Sequence, residues 1–455
     1  MEKMQVKIQE TAVIYPSSAP FTDDHVLQLS HLDTDRNLQV TFRYLRVYLN
    51  SDDHENKPNS TPFQVITSAL SAALVRYYYF AGSLRRRSSS DDNRLELYCE
   101  AGKGVPVIRA EVDFPLSSVN YLDDDPDEEF VEGLVPDPTL DEVMAHPMTL
   151  QLTMFSCGGF VLGAALHHSL CDGLGATLFF NAMAELARGA NQIPVEPVWD
   201  RMKLLGTRNP PRIEFPIQEF LSLDRDFPPY SEKTGRVVRV FFPVKDDWLD
   251  RLKGILFDQS SLKFTAFEAL GAFIWRARVK ASKIPSNETV KFAYSINVRK
   301  IVKPPLPAGY WGNGCVPMYV VATAGDVVEQ PIWKTAELIK KSKYNVSDEY
   351  VRSFIDFQEL NYDKGITAGT NISGFTDWRH LGHSTVDFGW GGPVTVFPLS
   401  RNLLGSVEPC FFLPYSSVNQ GPKDGFKLSV YLQEHAVGGF KEEMNRLKFL
   451  ERACL

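Results

Sequence analysis

Phe160-Val161-Leu162-Gly163-Ala164-Ala165-Leu166 runs straight into His167-His168-Ser169-Leu170-Cys171-Asp172-Gly173, so an unbroken apolar segment ends in a polar cluster. The apolar part has strand length, and Leu150 to Phe155 ahead of it reads as a partner strand across a Cys157-Gly158-Gly159 turn. Behind the cluster, Leu174 to Arg188 reads as a helix that stops at Gly189, the residue type that most readily ends one. The polar cluster therefore joins a buried strand to a helix, where α/β folds commonly carry their chemistry.

The pattern continues outward. Phe63, Ile66, Leu70, Ala73, Leu74 and Tyr77 recur at three- and four-residue steps behind Pro62, which predicts a helix over 63–77 closed by Ala81-Gly82. Leu95 to Cys99 alternates like a strand. Pro194, Pro197, Pro210, Pro211, Pro216, Pro228 and Pro229 interrupt 190–232, so that stretch reads as an extended crossover. Beyond it, Arg236 to Phe242, Val290 to Ile296, Val394 to Phe397 and Gly425 to Leu432 read as strands. Thr265 to Val279 and Pro331 to Ser342 read as helices. The expectation is a mixed α/β protein of two halves, 1–189 and 233–455, joined by a 190–232 linker.

Composition narrows the function. The chain has 455 residues, with 48 Lys+Arg against 56 Asp+Glu and a formal net charge of -8. That balance argues against a nucleic-acid partner, whose binding rests on clustered positive charge. Hydrophobic residues make up 44% and charged ones 23%, which excludes collagen-like, disordered and coiled-coil classes. Cys99, Cys157, Cys171, Cys315, Cys410 and Cys454 form no C-x-x-C pair, and a reducing compartment is the simplest reading. Neither an apolar secretory segment nor a membrane-length apolar run is visible, so a cytoplasmic protein with no membrane association is expected. His25, His31, His54, His146, His380, His383 and His435 form no compelling ligand set, and no metal is expected. The acidic run Asp123 to Glu129 reads as a solvated loop or helix start, with a cation or polyamine contact as the alternative.

Two short clusters carry the chemistry. His168 and Asp172 form H-x-x-x-D followed by Gly173, a pattern that by itself is a common polar loop. Between a buried strand and a helix, it becomes a place where a neutral imidazole is held half-buried with its pKa near working pH. The second cluster is Asp387-Phe388-Gly389-Trp390-Gly391, by itself a glycine-rich turn with buried aromatics. It is not a kinase D-F-G, because no glycine-rich loop, V-A-I-K or H-R-D accompanies it.

Both clusters together, in this order, resemble the H-x-x-x-D-G and D-F-G-W-G signatures of the plant BAHD acyl-CoA-dependent acyltransferases. Leu29-Ser30-His31-Leu32-Asp33 is similar to that family's L-S-x-L-D. Leu70-Ser71-Ala72-Ala73-Leu74 with Phe80-Ala81-Gly82 is similar to its first helix. Pro304 to Asn313 resembles P-P-L-P-x-G-Y-F-G-N, with Trp311 where Phe is usual. Phe375-Thr376-Asp377-Trp378-Arg379 resembles its T-x-W segment, and details point toward the branch of taxane, benzyl alcohol and spermidine acyltransferases.

The resemblance implies two chloramphenicol-acetyltransferase-like α/β domains, a channel between them and a long crossover loop. It also implies that a segment near 380–400 packs with the first half. His168 would be the general base that deprotonates an acceptor hydroxyl or amine, which then attacks the acyl thioester of an acyl-CoA. His167, its neighbour on a strand, would face the other way and be structural. Asp172 is tempting as a triad-like orienter, but the resemblance implies that it turns away and pairs with an arginine, for which Arg299 is the candidate. Thr376 and Trp378 would position the oxyanion or acceptor. Lys263 and Thr265 would contact CoA. Asp387, Phe388, Gly389, Trp390 and Gly391 would be architectural. Acyl-CoA is a co-substrate here, so no resident cofactor is expected, and a monomer is expected. A condensation-type amide-forming enzyme and a non-catalytic partner protein stand as alternatives.

Overall fold

The computed structural model describes residues 4–50, 60–87, 94–123, 126–230, 235–418 and 424–449. Two six-stranded sheets organise these residues. The first sheet runs Lys7–Ile14, Val105–Val112, Met148–Phe155, Phe160–His167, Thr41–Tyr48 and Thr395–Pro398 in spatial order. The second runs Val237–Val244, Phe426–Gln433, Cys410–Leu413, Ile372–Asp377, Thr289–Asn297 and Cys315–Thr323.

Phe160–His167 lies inside the first sheet, antiparallel to both neighbours and buried at every position. Phe160, Leu162, Ala164 and Leu166 pack into one core with helices Pro62–Ala73 and Gly173–Ala187. Val161 faces a separate cluster with Leu45, Val47 and Phe130. Both faces are covered, so the strand shows no polar alternation. Helix Gly173–Ala187 starts one residue earlier than periodicity predicts, because Asp172 caps it by accepting from Gly175 N at 2.9 Å.

The helix expected over 63–77 is shorter, Pro62–Ala73, and begins at a Thr61/Gln64 capping box. The chain then tightens into a 3-10 turn, Tyr78–Ala81. Tyr77 and Tyr79 there pack against Trp199 of the crossover and Trp311 of the second half, with ring centroids as close as 4.3 Å. Aromatic packing from distant chain ends the helix before its own apolar periodicity does.

The 190–230 stretch holds a short helix, Arg201–Leu205, and a two-residue strand, Ser222–Leu223, that pairs with Ile366–Thr367. Asp356 straps it down: its carboxylate accepts from the Thr207 hydroxyl, the Arg208 amide and guanidinium, and the Arg212 amide at 2.5–3.0 Å. In the other direction, residues after Trp378 cross from the second sheet to the first. Thr395–Pro398 pairs with Thr41–Tyr48, and the Tyr48 hydroxyl donates to Val386 O at 3.0 Å. Among the described residues no helix is long and apolar enough to cross a membrane.

Candidate active site

His168 is the first residue after the strand Phe160–His167. Its amide donates to Val40 O at 2.8 Å and its carbonyl accepts from Asn313 Nδ2 at 2.9 Å, so its backbone is held from both halves of the chain. The half-buried ring stands edge-on to Phe42, 5.7 Å between centroids and 88° between planes. Nδ1 is buried without a regular hydrogen-bond partner among the described residues, and His168 lines a cavity of ≈ 580 Å³. That volume suits a small molecule. Phe42, Tyr44 and Leu166 line the cavity from one side, and Cys315, Phe375, Thr376 and Trp378 from the other.

Burial pushes the His168 pKa below the usual histidine value. Its own carbonyl, Asp172, Asn313 and Asp33 pull the other way without overcoming burial. The ring is therefore neutral at pH 7 and able to accept a proton. The expected kcat/KM profile is flat above about pH 6.5, the ordinary histidine value, and falls only at lower pH as the base protonates. A pH–rate series checks this; an acid limb centred above pH 7 would contradict it.

His167 points away from the cavity. Its Nδ1 accepts from Ser169 N at 3.2 Å, and burial draws its pKa down to about 3. Two cysteines line the cavity, Cys171 and Cys315. Burial raises both thiols well above the ordinary value, so neither supplies a thiolate at neutral pH.

Asp172 makes no hydrogen bond to His168. It meets Arg299 in a two-pronged pair, Nη1 to Oδ2 at 2.8 Å and Nη2 to Oδ1 at 2.9 Å. Its oxygens also accept from Gly175 N, from Gly314 N at 2.9 Å and from Cys315 Sγ at 3.3 Å. Burial alone would raise its pKa, but Arg299 and these donors hold the carboxyl below the usual range. Arg299 spends a further N–H on Gly312 O at 2.9 Å. One residue thus ties the histidine loop, the start of helix Gly173–Ala187 and the 312–315 segment together. The fit is close: a Cβ on Gly175 would meet Trp311 O at 1.9 Å.

A second buried node was not legible as such. Asp33 Oδ1 accepts from Asn313 N and Nδ2, both at 2.9 Å, and Oδ2 accepts from Ser30 N and Oγ at 2.9 and 2.7 Å. The fully buried Arg201 lies 3.2 Å from Asp33 Oδ1, with its guanidinium 4.0 Å over the Trp311 ring. Trp311 gives that cation an indole face. The signal lay in the quoted L-S-x-L-D and G-Y-W-G-N stretches; their meeting did not. Asn313→Ala removes the donor that holds the His168 carbonyl. It is expected to lower kcat by roughly 10- to 100-fold, the scale of a small misplacement, with KM for the donor little changed. Steady-state kinetics checks this.

The remaining residues divide clearly. Thr376 and Trp378 reach the cavity wall, and Trp378 packs against Phe42, Tyr44, His383 and Phe411. Lys263 and Thr265 are exposed, and neither lines the cavity. The Thr265 hydroxyl caps helix Ala266–Ala281, accepting from Glu268 N at 3.3 Å, and the Glu268 carboxylate accepts from Thr265 N at 2.9 Å. The Asp387–Gly391 cluster lies outside the cavity wall. Asp387 Oδ1 accepts from Gly389 N at 2.7 Å, Gly389 takes φ 105°, and the Asp387 carbonyl accepts from Arg188. Phe388 and Trp390 pack on Tyr48 and Phe160 of the first sheet.

Residues 4–447 match the profile of the family described as Transferase family. The chain belongs to the BAHD acyltransferases. This BAHD acyltransferase is 31% identical over 470 residues to spermidine sinapoyl-CoA acyltransferase of Arabidopsis thaliana, covering 98% of each chain. It is 31% identical over 453 residues to taxadien-5-alpha-ol O-acetyltransferase of Taxus chinensis, again covering 98% of each. Among solved structures, vinorine synthase superposes with a TM-score of 0.72 at 22% identity, covering 97% of this chain and 98% of that one. The fold is the chloramphenicol-acetyltransferase-like α/β arrangement.

Proposed function

We propose that this BAHD acyltransferase moves an aromatic or acetyl group from an acyl-CoA to a small-molecule alcohol or amine, with His168 as the general base. The carrying observation is His168 on the wall of a largely apolar cavity between the two halves, where burial favours the neutral, proton-accepting imidazole. His168 takes a proton from the acceptor O–H or N–H as that oxygen or nitrogen bonds to the thioester carbonyl carbon. The tetrahedral oxyanion then collapses, the C–S bond breaks, and the imidazolium returns its proton to the CoA thiolate. Thr376 and Trp378 sit in the wall to position the oxyanion or acceptor.

Asp172 and Arg299 support the loop and do not touch the reacting atoms. Asp387 to Gly391 shape the seam between the sheets. Lys263 and Thr265 mark the exposed face proposed for CoA, where a lysine suits a phosphate. No resident cofactor is needed. The described cysteines are all free thiols, in keeping with the cytoplasmic location we infer, and we take the protein to act as a monomer.

The test is mass-spectrometric detection of product. Acetyl-, benzoyl-, coumaroyl- and caffeoyl-CoA are crossed with a pool of alcohols and polyamines, beside a His168→Ala control. An ester or amide that depends on His168 is the expected result. No transfer with any pair, together with no saturable CoA binding, would overturn the reading.

A further inference from the structure

One leucine on the cavity wall is held in a backbone conformation that its side chain disfavours. Leu403 and Ser406 exchange backbone hydrogen bonds at 2.9 and 2.8 Å across a two-residue turn, Leu404-Gly405. Both central residues have positive φ, 54° at Leu404 and 83° at Gly405. Hairpin turns with that signature favour Asn-Gly, because a β-carbon at left-handed φ crowds the following carbonyl oxygen. Leucine at the first central position is therefore strained. Seven non-glycine residues have positive φ among the described residues, and of these Leu404 alone lines the cavity. Strain of this kind persists where the surroundings over-determine it, and it concentrates at sites that need one particular side chain.

The turn is seated firmly. A Cβ on Gly374 would meet Leu403 O at 2.8 Å, and the Ser406 hydroxyl donates to Ile372 O at 2.7 Å. A Cβ on Gly405 would meet Ile372 Cδ1 at 3.1 Å and Asn37 Oδ1 at 3.6 Å. Gly374 and Thr376 are two residues apart on strand Ile372–Asp377, so they share one face at a separation of about 7 Å. The turn thus packs beside Thr376, itself on the cavity wall. Leu404 is 8% exposed and belongs to the apolar core of the second sheet, and Asn37 and Tyr230 line the cavity with it. The face proposed for CoA meets the cavity elsewhere. Phe267 and Lys343 line it there, and Lys340, on the same helix as Lys343, donates from Nζ to Lys263 O at 2.6 Å.

We propose that Leu404 is a wedge that sets how far an acceptor extends into the cavity beyond its reacting group. Asparagine at this position would relax the turn but would set an amide against an apolar wall. Leucine keeps the wall apolar and fills space, and the packed turn holds it there against its own backbone preference. The assignment to the acceptor rests on the acyl-transfer reading, with CoA entering by Lys263 and Thr265; the depth of the cavity does not. Leu404→Ala removes three side-chain carbons, so it should admit a chain longer by about three carbons.

The test compares wild type, Leu404→Ala and Leu404→Gly. Binding of linear primary alcohols from 1-butanol to 1-decanol is measured by calorimetry, and coumaroyl and acetyl transfer to the same alcohols by mass spectrometry. Affinity should rise with chain length until the wedge is met. In Leu404→Ala that break should come about three carbons later, and the first alcohol past the wild-type break should bind and react about 10-fold better than with wild type, the lower end for one methylene in an apolar pocket. Melting reads the strain apart from the cavity. Glycine ordinarily destabilises relative to alanine, yet Leu404→Gly should melt about 1–3 °C above Leu404→Ala, because glycine adopts this φ freely. The same break in all three proteins, or alcohol binding by none of them, overturns the wedge and leaves acyl transfer standing. Leu404→Gly melting at or below Leu404→Ala overturns the strain that the wedge invokes. A shifted break with neither CoA binding nor product keeps the wedge and overturns the acyl-transfer reading.

Discussion

His168→Ala is expected to lower kcat about 10²- to 10⁴-fold, the contribution typical of a positioned general base, and to leave the protein folded. The reason is that the ring does little structural work. Its Nδ1 bonds to nothing regular, its one described ring contact is with Phe42, and the loop is held by backbone groups that alanine keeps. Because burial lowers the His168 pKa, the neutral ring's share of stability is complete above about pH 6.5 and is lost as pH falls toward the folded value. The alanine variant should therefore melt slightly less acid-sensitively than wild type. Product formation by mass spectrometry with parallel melting curves measures both effects. A variant keeping more than about a tenth of wild-type kcat, far above the range for a base, would remove His168 from the mechanism.

Asp172→Ala should do the opposite, harming the fold along with the rate. It strips the two-pronged partner from the largely buried Arg299, the cap from helix Gly173–Ala187 and the acceptor from Gly314 N. Breaking a buried pair from one side costs about 3–5 kcal/mol, a large part of the 5–15 kcal/mol by which native proteins are stable. The folded Asp172 carboxyl is held below its unfolded value of about 3.9, so its contribution is complete above that pH and fades as pH falls through the folded pKa. Wild-type and variant melting curves should accordingly converge in strong acid. Removing the stranded cation as well, in Asp172→Ala/Arg299→Met, should recover part of the loss. A fully stable but inactive Asp172→Ala would reassign the residue to direct chemistry.

Where the local pattern gives no reading, tertiary partners explain why. Thr41–Tyr48 is an inner strand of the first sheet, yet Arg43 and Arg46 interrupt its apolar sequence. Arg43 is held by Glu132 and the carbonyls of Pro136 and Val135, and Arg46 stacks on Tyr44 and Phe180. Thr265, on the face proposed for CoA, also has a local role: Thr265-Ala266-Phe267-Glu268 is a capping box, and the hydroxyl accepts from Glu268 N.

The sequence by itself determined the kind of chemistry: a histidine between a buried strand and a capped helix, and a glycine-rich aromatic turn far downstream. Periodicity, caps and turns act over a few residues, so they survive in a linear reading. The tertiary structure alone decided which charges meet. Asp33 finds Asn313 across 280 positions, and Asp172 finds Arg299 across 127. Those outcomes depend on how two sheets and a crossover close around one space, and no local pattern of residues encodes that closure.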